Sequence, residues 1–291
     1  MTFPYLDETQ ELDEAARMQA GGSFMALTDG VVHYELGGPK HGNPVVFVHG
    51  FSTPFFIFDK TFEFLADCGF RVLRYDLFGR GFSDRPLVRY DIRLFVRQLK
   101  ELLDALGLKP VSLVGLSMGG AVSAAFIERY PQYVVRHVLI DPSGGKRVEL
   151  PFFVKALKIP LFGELVFGLF GGAAALKGMA ADKISPQAVE ALQEQYKVQM
   201  KFKGFKRALL STIRSGMLDS FYETYVRVGR LEKPTLLFWG RQDKTLPFAQ
   251  SECIRRAIPH AEFHIVEDCG HIPHYEKPEV VNPILLEFLS R

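Results

Sequence analysis

Residues 111–120 read VSLVGLSMGG. A β-branched, apolar run of strand length ends here in a serine set among Gly115, Gly119 and Gly120. Glycine weakens strands and helices alike, so this cluster implies a backbone that turns sharply or packs closely. GLSMG fits G-x-S-x-G, and the segment MGGAVSAAFIERY after it reads as a helix. A strand that turns through this motif into a helix holds its serine in strained backbone angles, between small neighbours, with the hydroxyl above the sheet. The helix N-terminus there favours developing negative charge. Ser117 is thus a candidate nucleophile; the plainer alternative is a serine that only N-caps the helix.

Outward from this stretch, similar runs recur: PVVFVHG (44–50), FRVLRYD (70–76), VRHVLID (135–141), PTLLFWG (234–240) and AEFHIVE (261–267). Most are apolar nearly throughout, as strands covered on both faces must be. Helical segments at 57–68, 91–106, 118–130, 247–257 and 278–290 alternate with them. The alternation predicts an α/β fold with a mostly parallel, doubly wound sheet. Residues 1–20 read as a polar helix or arm, and SFMAL and VVHYEL flank TDG as a hairpin. One interval breaks the rhythm: about 90 residues between VLIDPSGG and KPTLLFWG have helical periodicity, too many for a plain connection. The expected organisation is a core in two parts, 1–143 and 232–291, with an inserted helical cap at 144–231. No internal repeat or low-complexity tract is present.

The chain has 291 residues, 47% of them hydrophobic, enough for one large or two modest domains. Thirty-five basic residues against 33 acidic ones give a net charge of +2 and no electrostatic case for nucleic acid. Cys68, Cys253 and Cys269 are too few and scattered for a disulfide framework or a zinc site, which fits a reducing, cytoplasmic setting. The start, MTFPYLDETQELDEAAR, lacks the apolar stretch of a signal peptide. Glu164 interrupts the most apolar segment, 159–180, and the clean run after it falls short of the roughly 18 residues a bilayer span needs. No metal or other cofactor is expected.

A serine nucleophile needs a base, and the base needs an orienting acid. WGRQDKTLP places Asp243 just beyond a strand, at the carboxyl end where catalytic groups gather in open α/β sheets. EDCGHIPHYEKP places His271 in the loop after the last strand. With HGF after an early strand, DLFGRGFSDRP, GLSMGG, GRQDKTLP and GHIPHYEKP, the chain resembles the α/β-hydrolase superfamily from about residue 23 onward, the cap excepted. The resemblance implies that Ser117 is the nucleophile, Asp243 the triad acid and His271 the base. It also implies an oxyanion hole made by the backbone N–H groups of Phe51 and Met118, because a tetrahedral oxyanion needs preorganised donors.

Rivals exist for each partner. His274 lies three residues past His271, but the resembled pattern has glycine directly before the base, as in Gly270–His271. His49 is expected to orient the oxyanion loop, and His260 and His264 to be structural. Asp141 also follows a strand, where some members of the superfamily carry their acid. Asp268 is too near His271 in sequence to approach its imidazole easily, and Asp76 is expected to anchor a turn-rich loop.

A serine at the elbow separates the chain from the dehalogenases and epoxide hydrolases it otherwise resembles, which use aspartate there. Ester hydrolases and lipases, C–C hydrolases of aromatic meta-cleavage products, proline-removing aminopeptidases and cofactor-free perhydrolases remain. The C–C hydrolases resemble GNSMGG at the elbow and usually carry tryptophan after the base; here Leu116 and Ile272 stand at those places. Perhydrolases usually lack a substantial cap. The cap segment LPFFVKALKIPLFGELVFGLFGGAAAL suggests an apolar acyl pocket or a lipid-facing surface beyond a plain packed hairpin. YKVQMKFKGFKRALL, with Lys197, Lys201, Lys203, Lys206 and Arg207, reads as a solvated helix face or as a weak attraction to anionic lipid. The expected activity is hydrolysis of lipophilic carboxylic esters, monoacylglycerol-like or otherwise short- to medium-chain, through an acyl-enzyme, as in carboxylesterases and lipases. The alternatives are C–C hydrolysis, and a non-catalytic small-molecule binder on a hydrolase scaffold.

Overall fold

The computed structural model describes residues 3, 5–147, 157, 159–179 and 186–291. Eight strands form one sheet: β1 Ser23–Leu27, β2 Gly30–Gly37, β3 Pro44–Val48, β4 Arg71–Tyr75, β5 Val111–Leu116, β6 Val134–Ile140, β7 Thr235–Gly240 and β8 Glu262–Val266. Their spatial order is β1-β2-β4-β3-β5-β6-β7-β8. The β1–β2 hairpin turns at Thr28–Asp29, with Leu27 opposite Gly30, and β2 pairs antiparallel with β4. All other pairings are parallel. From β3 the chain runs first to β4 on one side, then to β5 on the other. Such a reversal opens a crevice beyond the carboxyl ends of the two diverging strands, here β3 and β5. His49 and Ser117 are the first residues past those ends.

The helices are α1 Glu14–Gln19, α2 Asp59–Asp67, α3 Ile92–Leu106, α4 Met118–Arg129, α5 Phe162–Met179, α6 Pro186–Met200, α7 Phe205–Arg214, α8 Tyr222–Gly229, α9 Ser251–Ala257, α10 Pro273–Glu276 and α11 Pro278–Ser290. The Asp91 side chain accepts from the N–H groups of Arg93 and Leu94 to start α3, and Gly107, at φ 65°, ends it. Leu99, Leu103, Val122 and Phe126 belong to the core on one face of the sheet, and Leu65, Leu285 and Phe288 to that on the other. Truncating one such leucine to alanine costs about 2–5 kcal/mol.

Between β6 and β7 the described residues form α5 to α8 and no strand. Residues 148–156, 158 and 180–185, part of the apolar segment expected in the cap, lie outside the described residues. α8, though inside the expected insertion, is tied to the core: the Tyr225 hydroxyl donates to the Ser143 carbonyl (2.7 Å), and Tyr225 and Val228 join the core of α3 and α4. The basic stretch differs from a solvated face at two positions. Lys206 is buried, its ammonium donating to Asp7 and to the Gly168 carbonyl, each at 2.7 Å. Arg207 donates to the carbonyls of Arg85 and Pro86. A buried cation must find partners, and the N-terminal arm and α5 supply them to Lys206. Among the described residues no helix is long and apolar enough to cross a membrane.

Candidate active site

Ser117 sits at φ 52°, ψ −119°, a conformation that side chains rarely adopt. Its N–H donates to the Ile140 carbonyl (3.0 Å), and its own carbonyl accepts from Gly120 (2.9 Å) and Ser143 (3.0 Å). The hydroxyl makes no capping bond to α4, so the serine is not there as an N-cap. The surrounding glycines answer to steric limits. A Cβ on Gly119 would lie 2.0 Å from the Val48 carbonyl oxygen, one on Gly115 2.5 Å from the Gly119 oxygen, and one on Gly120 2.6 Å from Pro142. α4 therefore leaves the elbow pressed against β3 and β5, with its N-terminus beneath the serine.

A cavity of about 250 Å³ opens over Ser117 and is also lined by His271, Gly50, Phe51, Ile57, Leu116, Leu192 and Ile272. The sheet ends thus bring Ser117 and His271 to one space with the oxyanion loop. A larger cavity, about 420 Å³, includes Phe55, Phe82, Phe202 and His33 but neither Ser117 nor His271. Chemistry, not size, selects the first.

His271 Nδ1 lies 2.7 Å from Asp243 Oδ2, so the imidazole proton sits on Nδ1 and leaves Nε2 as the basic nitrogen. The other carboxylate oxygen of Asp243 accepts from the N–H groups of Thr245 (2.7 Å) and Leu246 (2.8 Å), which fixes its orientation. Glu276 pins the histidine loop on both sides, accepting from Gly270 N–H (2.7 Å) and Ile272 N–H (3.2 Å). A Cβ on Gly240 would lie 1.8 Å from the Gly270 oxygen, so the end of β7 and this loop touch backbone to backbone.

The rivals fall into other places. His274 is buried and bonds the Ile57 carbonyl at 3.0 Å; burial pulls its pKa down to about 3. His49 Nε2 accepts from Leu77 N–H (2.9 Å), which leaves Nδ1 to donate to the Gly50 carbonyl (2.9 Å). Burial holds its pKa near 4, so it stays neutral and steadies the loop that carries Phe51. Asp76 anchors its own loop: it accepts from Phe55 N–H (3.0 Å) and Phe82 N–H (3.0 Å) and meets His33 Nδ1 at 2.8 Å. Burial alone would raise its pKa; the hydrogen bonds from His33 and Phe55 N–H bring it below the ordinary carboxylate value. His260 meets the Lys233 carbonyl and His264 meets Glu262, both away from the elbow.

Asp141 is fully buried at φ 39°, with one oxygen accepting from Gly240 N–H (2.9 Å) and the other without a hydrogen-bond partner among the described residues. One oxygen each of Asp141 and Asp243 and a ring nitrogen of His271 lie within 4.8 Å of one another. Burial, and then the charge of Asp243, push the Asp141 carboxyl well above its ordinary range. These three side chains are the one grouping among the described residues spaced for a metal ion. Their oxygens are largely committed to N–H donors and to the imidazole, an arrangement suited to holding a proton relay. Among the described residues the N–H groups of Phe51 and Met118 donate to no protein acceptor.

Residues 43–278 match the family model of the alpha/beta hydrolase fold. The chain is 27% identical to the AB hydrolase superfamily protein YisY of Bacillus subtilis, covering 85% of this chain and 92% of that protein. It is 28% identical to the 2-hydroxy-6-oxo-6-phenylhexa-2,4-dienoate hydrolase of Comamonas testosteroni, covering 91% and 93%. A solved thermophilic esterase from Thermogutta terrifontis superimposes with a TM-score of 0.76 at 25% identity, covering 92% and 98%. The chain belongs to the α/β-hydrolase family, and it is a hydrolase.

Sequence reasoning missed Glu276, the His33 partner of Asp76 and the buried Arg80. For Glu276 a signal was present: a glutamate five residues after the base can fold back onto its loop. For His33 and Arg80 nothing local marks the role, since their partners come from distant strands and helices.

Proposed function

We propose that the protein is a serine hydrolase of small carboxylic esters with an apolar acyl group. Ser117 attacks the carbonyl, His271 takes its proton through Nε2 and then delivers it to the leaving alcohol, and Asp243 orients the imidazolium. The N–H groups of Phe51 and Met118 hold the oxyanion, and water repeats the sequence to release the acid. Helices of the 144–231 insertion act as a cap over the strand ends of the 1–143 and 232–291 core, with Ala175 and Leu192 on the cavity wall. The observation that carries this reading is the wall itself: apolar side chains around Ser117 and His271, with no lysine or arginine among its described residues. The cavity, about 250 Å³, is small for a ligand site, which suits a short acyl chain. The exposed apolar face of α5, with Leu161 before it and Leu165, Leu169 and Phe170 on it, is where a lipophilic ester or a lipid surface would be met.

A series of p-nitrophenyl esters from acetate to decanoate tests this. Turnover should peak at short to medium chains and vanish in Ser117→Ala. The second reading, C–C hydrolysis, draws on the named activity of the Comamonas relative. A dienoate substrate brings a carboxylate, which a wall without a cation does not pair. Turnover of 2-hydroxy-6-oxo-6-phenylhexa-2,4-dienoate without turnover of any ester would select that second reading.

A further inference from the structure

Arg80, in the loop DLFGRGFSDRP, is fully buried and takes no part in the relay described above. Its Nε donates to the Phe51 carbonyl (2.8 Å), Nη1 to the Phe78 carbonyl (3.0 Å) and Nη2 to Thr212 Oγ1 (2.9 Å). Its guanidinium lies 5.5 Å from the centre of the Phe51 ring and 5.4 Å from that of Phe95. No carboxylate pairs with it among the described residues. Burial lowers its pKa to about 10, which leaves it charged at neutral pH. A buried cation without an anion is costly, and two carbonyls, a hydroxyl and two ring faces are what offset it here.

The placement of those partners matters. The Gly50 carbonyl and the Phe51 N–H belong to one planar peptide and point to opposite edges of it. His49 holds the carbonyl edge. Arg80 holds the next carbonyl along, that of Phe51 itself. Both peptides that flank the Phe51 Cα are therefore fixed, each through its oxygen. The third arm of the fork ends on Thr212, whose hydroxyl donates to the Ala208 carbonyl (2.8 Å) and so accepts from Arg80. Thr212 stands on α7, in the inserted helices.

We propose that Arg80 is a positioning residue that aims the Phe51 N–H at the anionic intermediate and ties that N–H to the cap through Thr212. This rests on the reading of Phe51 as an oxyanion donor. A lysine in its place could reach one acceptor but not bridge all three.

The test compares wild type, Arg80→Gln, Arg80→Lys, Thr212→Val and the Arg80→Gln/Thr212→Val double variant, with thermal melts to confirm folding. Two rates are measured: labelling of Ser117 by a fluorophosphonate, and kcat and KM for p-nitrophenyl butyrate. The phosphonyl oxygen occupies the same hole, so labelling reports on the hole whichever bond the enzyme cleaves. Arg80→Gln should lower both kcat and labelling by about tenfold to a hundredfold, with KM changed by less than about threefold. Arg80→Lys should recover part of the loss. Thr212→Val should lower the same two rates by about threefold, and the double variant should equal Arg80→Gln alone, because both act through one link. A folded Arg80→Gln with wild-type rates, a loss confined to KM, or additive losses in the double variant would overturn the proposal. If Arg80→Gln does not fold, wild-type rates in Thr212→Val overturn it. Labelling without ester turnover sinks only the ester reading, since the labelling rates still judge Arg80. No labelling of the wild type sinks both.

Discussion

Asp141 and Asp243 stand just past the ends of neighbouring strands, and a proton separates their roles. Asp243 meets three donors: two backbone N–H groups and the imidazole. Asp141 has one N–H and a second oxygen left bare in the interior. Burial first, and the charge of Asp243 second, therefore keep Asp141 protonated well above the usual carboxylate range. Asp243→Asn should drop kcat by about 10⁴-fold with folding intact, because an amide presents N–H where the imidazole N–H needs an acceptor. Circular dichroism with ester kinetics checks both halves. Asp141 gives a prediction of opposite kind. The folded state keeps a proton that the unfolded chain releases above a pKa of about 3.9, so this group costs stability as pH rises from there toward its folded pKa. Asp141→Asn removes that dependence while still accepting from Gly240. Urea melts at pH 5 and pH 8 should show the variant gaining on wild type at the higher pH; equal differences at both would refute the assignment of a neutral Asp141.

At the scale of elements, what was legible in sequence followed from local physics. The hairpin at Thr28–Asp29 announces itself by its turn residues, and most of the six parallel strands by short apolar runs, because strands covered on both faces leave no room for polar alternation. The elbow was legible because the close approach of α4 to β3 and β5 leaves no room for a Cβ at Gly115, Gly119 or Gly120. Contacts between distant elements were not legible. The N-terminal arm pairs with the helices between β6 and β7 through Gln10, which donates to the Lys201 carbonyl and accepts from Lys203 N–H. Glu8 accepts from Gly204 and Lys206 N–H, both at 2.6 Å, and so supplies the start of α7 from nearly two hundred residues away. No periodicity could announce such a pairing. Glu8→Ala strips that helix N-terminus of its acceptor and should cost about 1–2 kcal/mol, or a few degrees in Tm. Glu8→Gln, which keeps the oxygen and not the charge, should recover part of it. Calorimetry would read both shifts, and an unchanged Tm in Glu8→Ala would show that the arm does not stabilise α7.

For the molecule as a whole, buried imidazoles set the acid limit of the fold. His49, His137 and His274 are each almost completely shielded from water. Each has a protein partner but is bonded to no carboxylate among the described residues: His49 accepts from Leu77 N–H, His137 Nε2 meets Ser123 Oγ at 2.8 Å beside the elbow, and His274 meets the Ile57 carbonyl. Burial draws their pKa values down to about 4, 3 and 3. In the unfolded chain each titrates near 6.5. Below that value the unfolded state binds protons the folded state refuses, so stability falls with pH between about 6.5 and 4, with up to three protons taken up on unfolding. At pH 4 each histidine forgoes on the order of 3 kcal/mol, and three together rival the roughly 5–15 kcal/mol that holds a typical domain. The fold should therefore lose its stability steeply between about pH 5.5 and 4. The slope of the unfolding free energy from urea melts at pH 7, 6 and 5 measures the net proton count; the Asp141→Asn background removes the opposing proton of that carboxyl and leaves the count of the imidazoles. His274→Phe, which keeps a ring against Phe58 and removes the titration, should lower that count by one. A stability that stays level from pH 7 to pH 5 would mean that these imidazoles reach water or gain anionic partners before the chain unfolds.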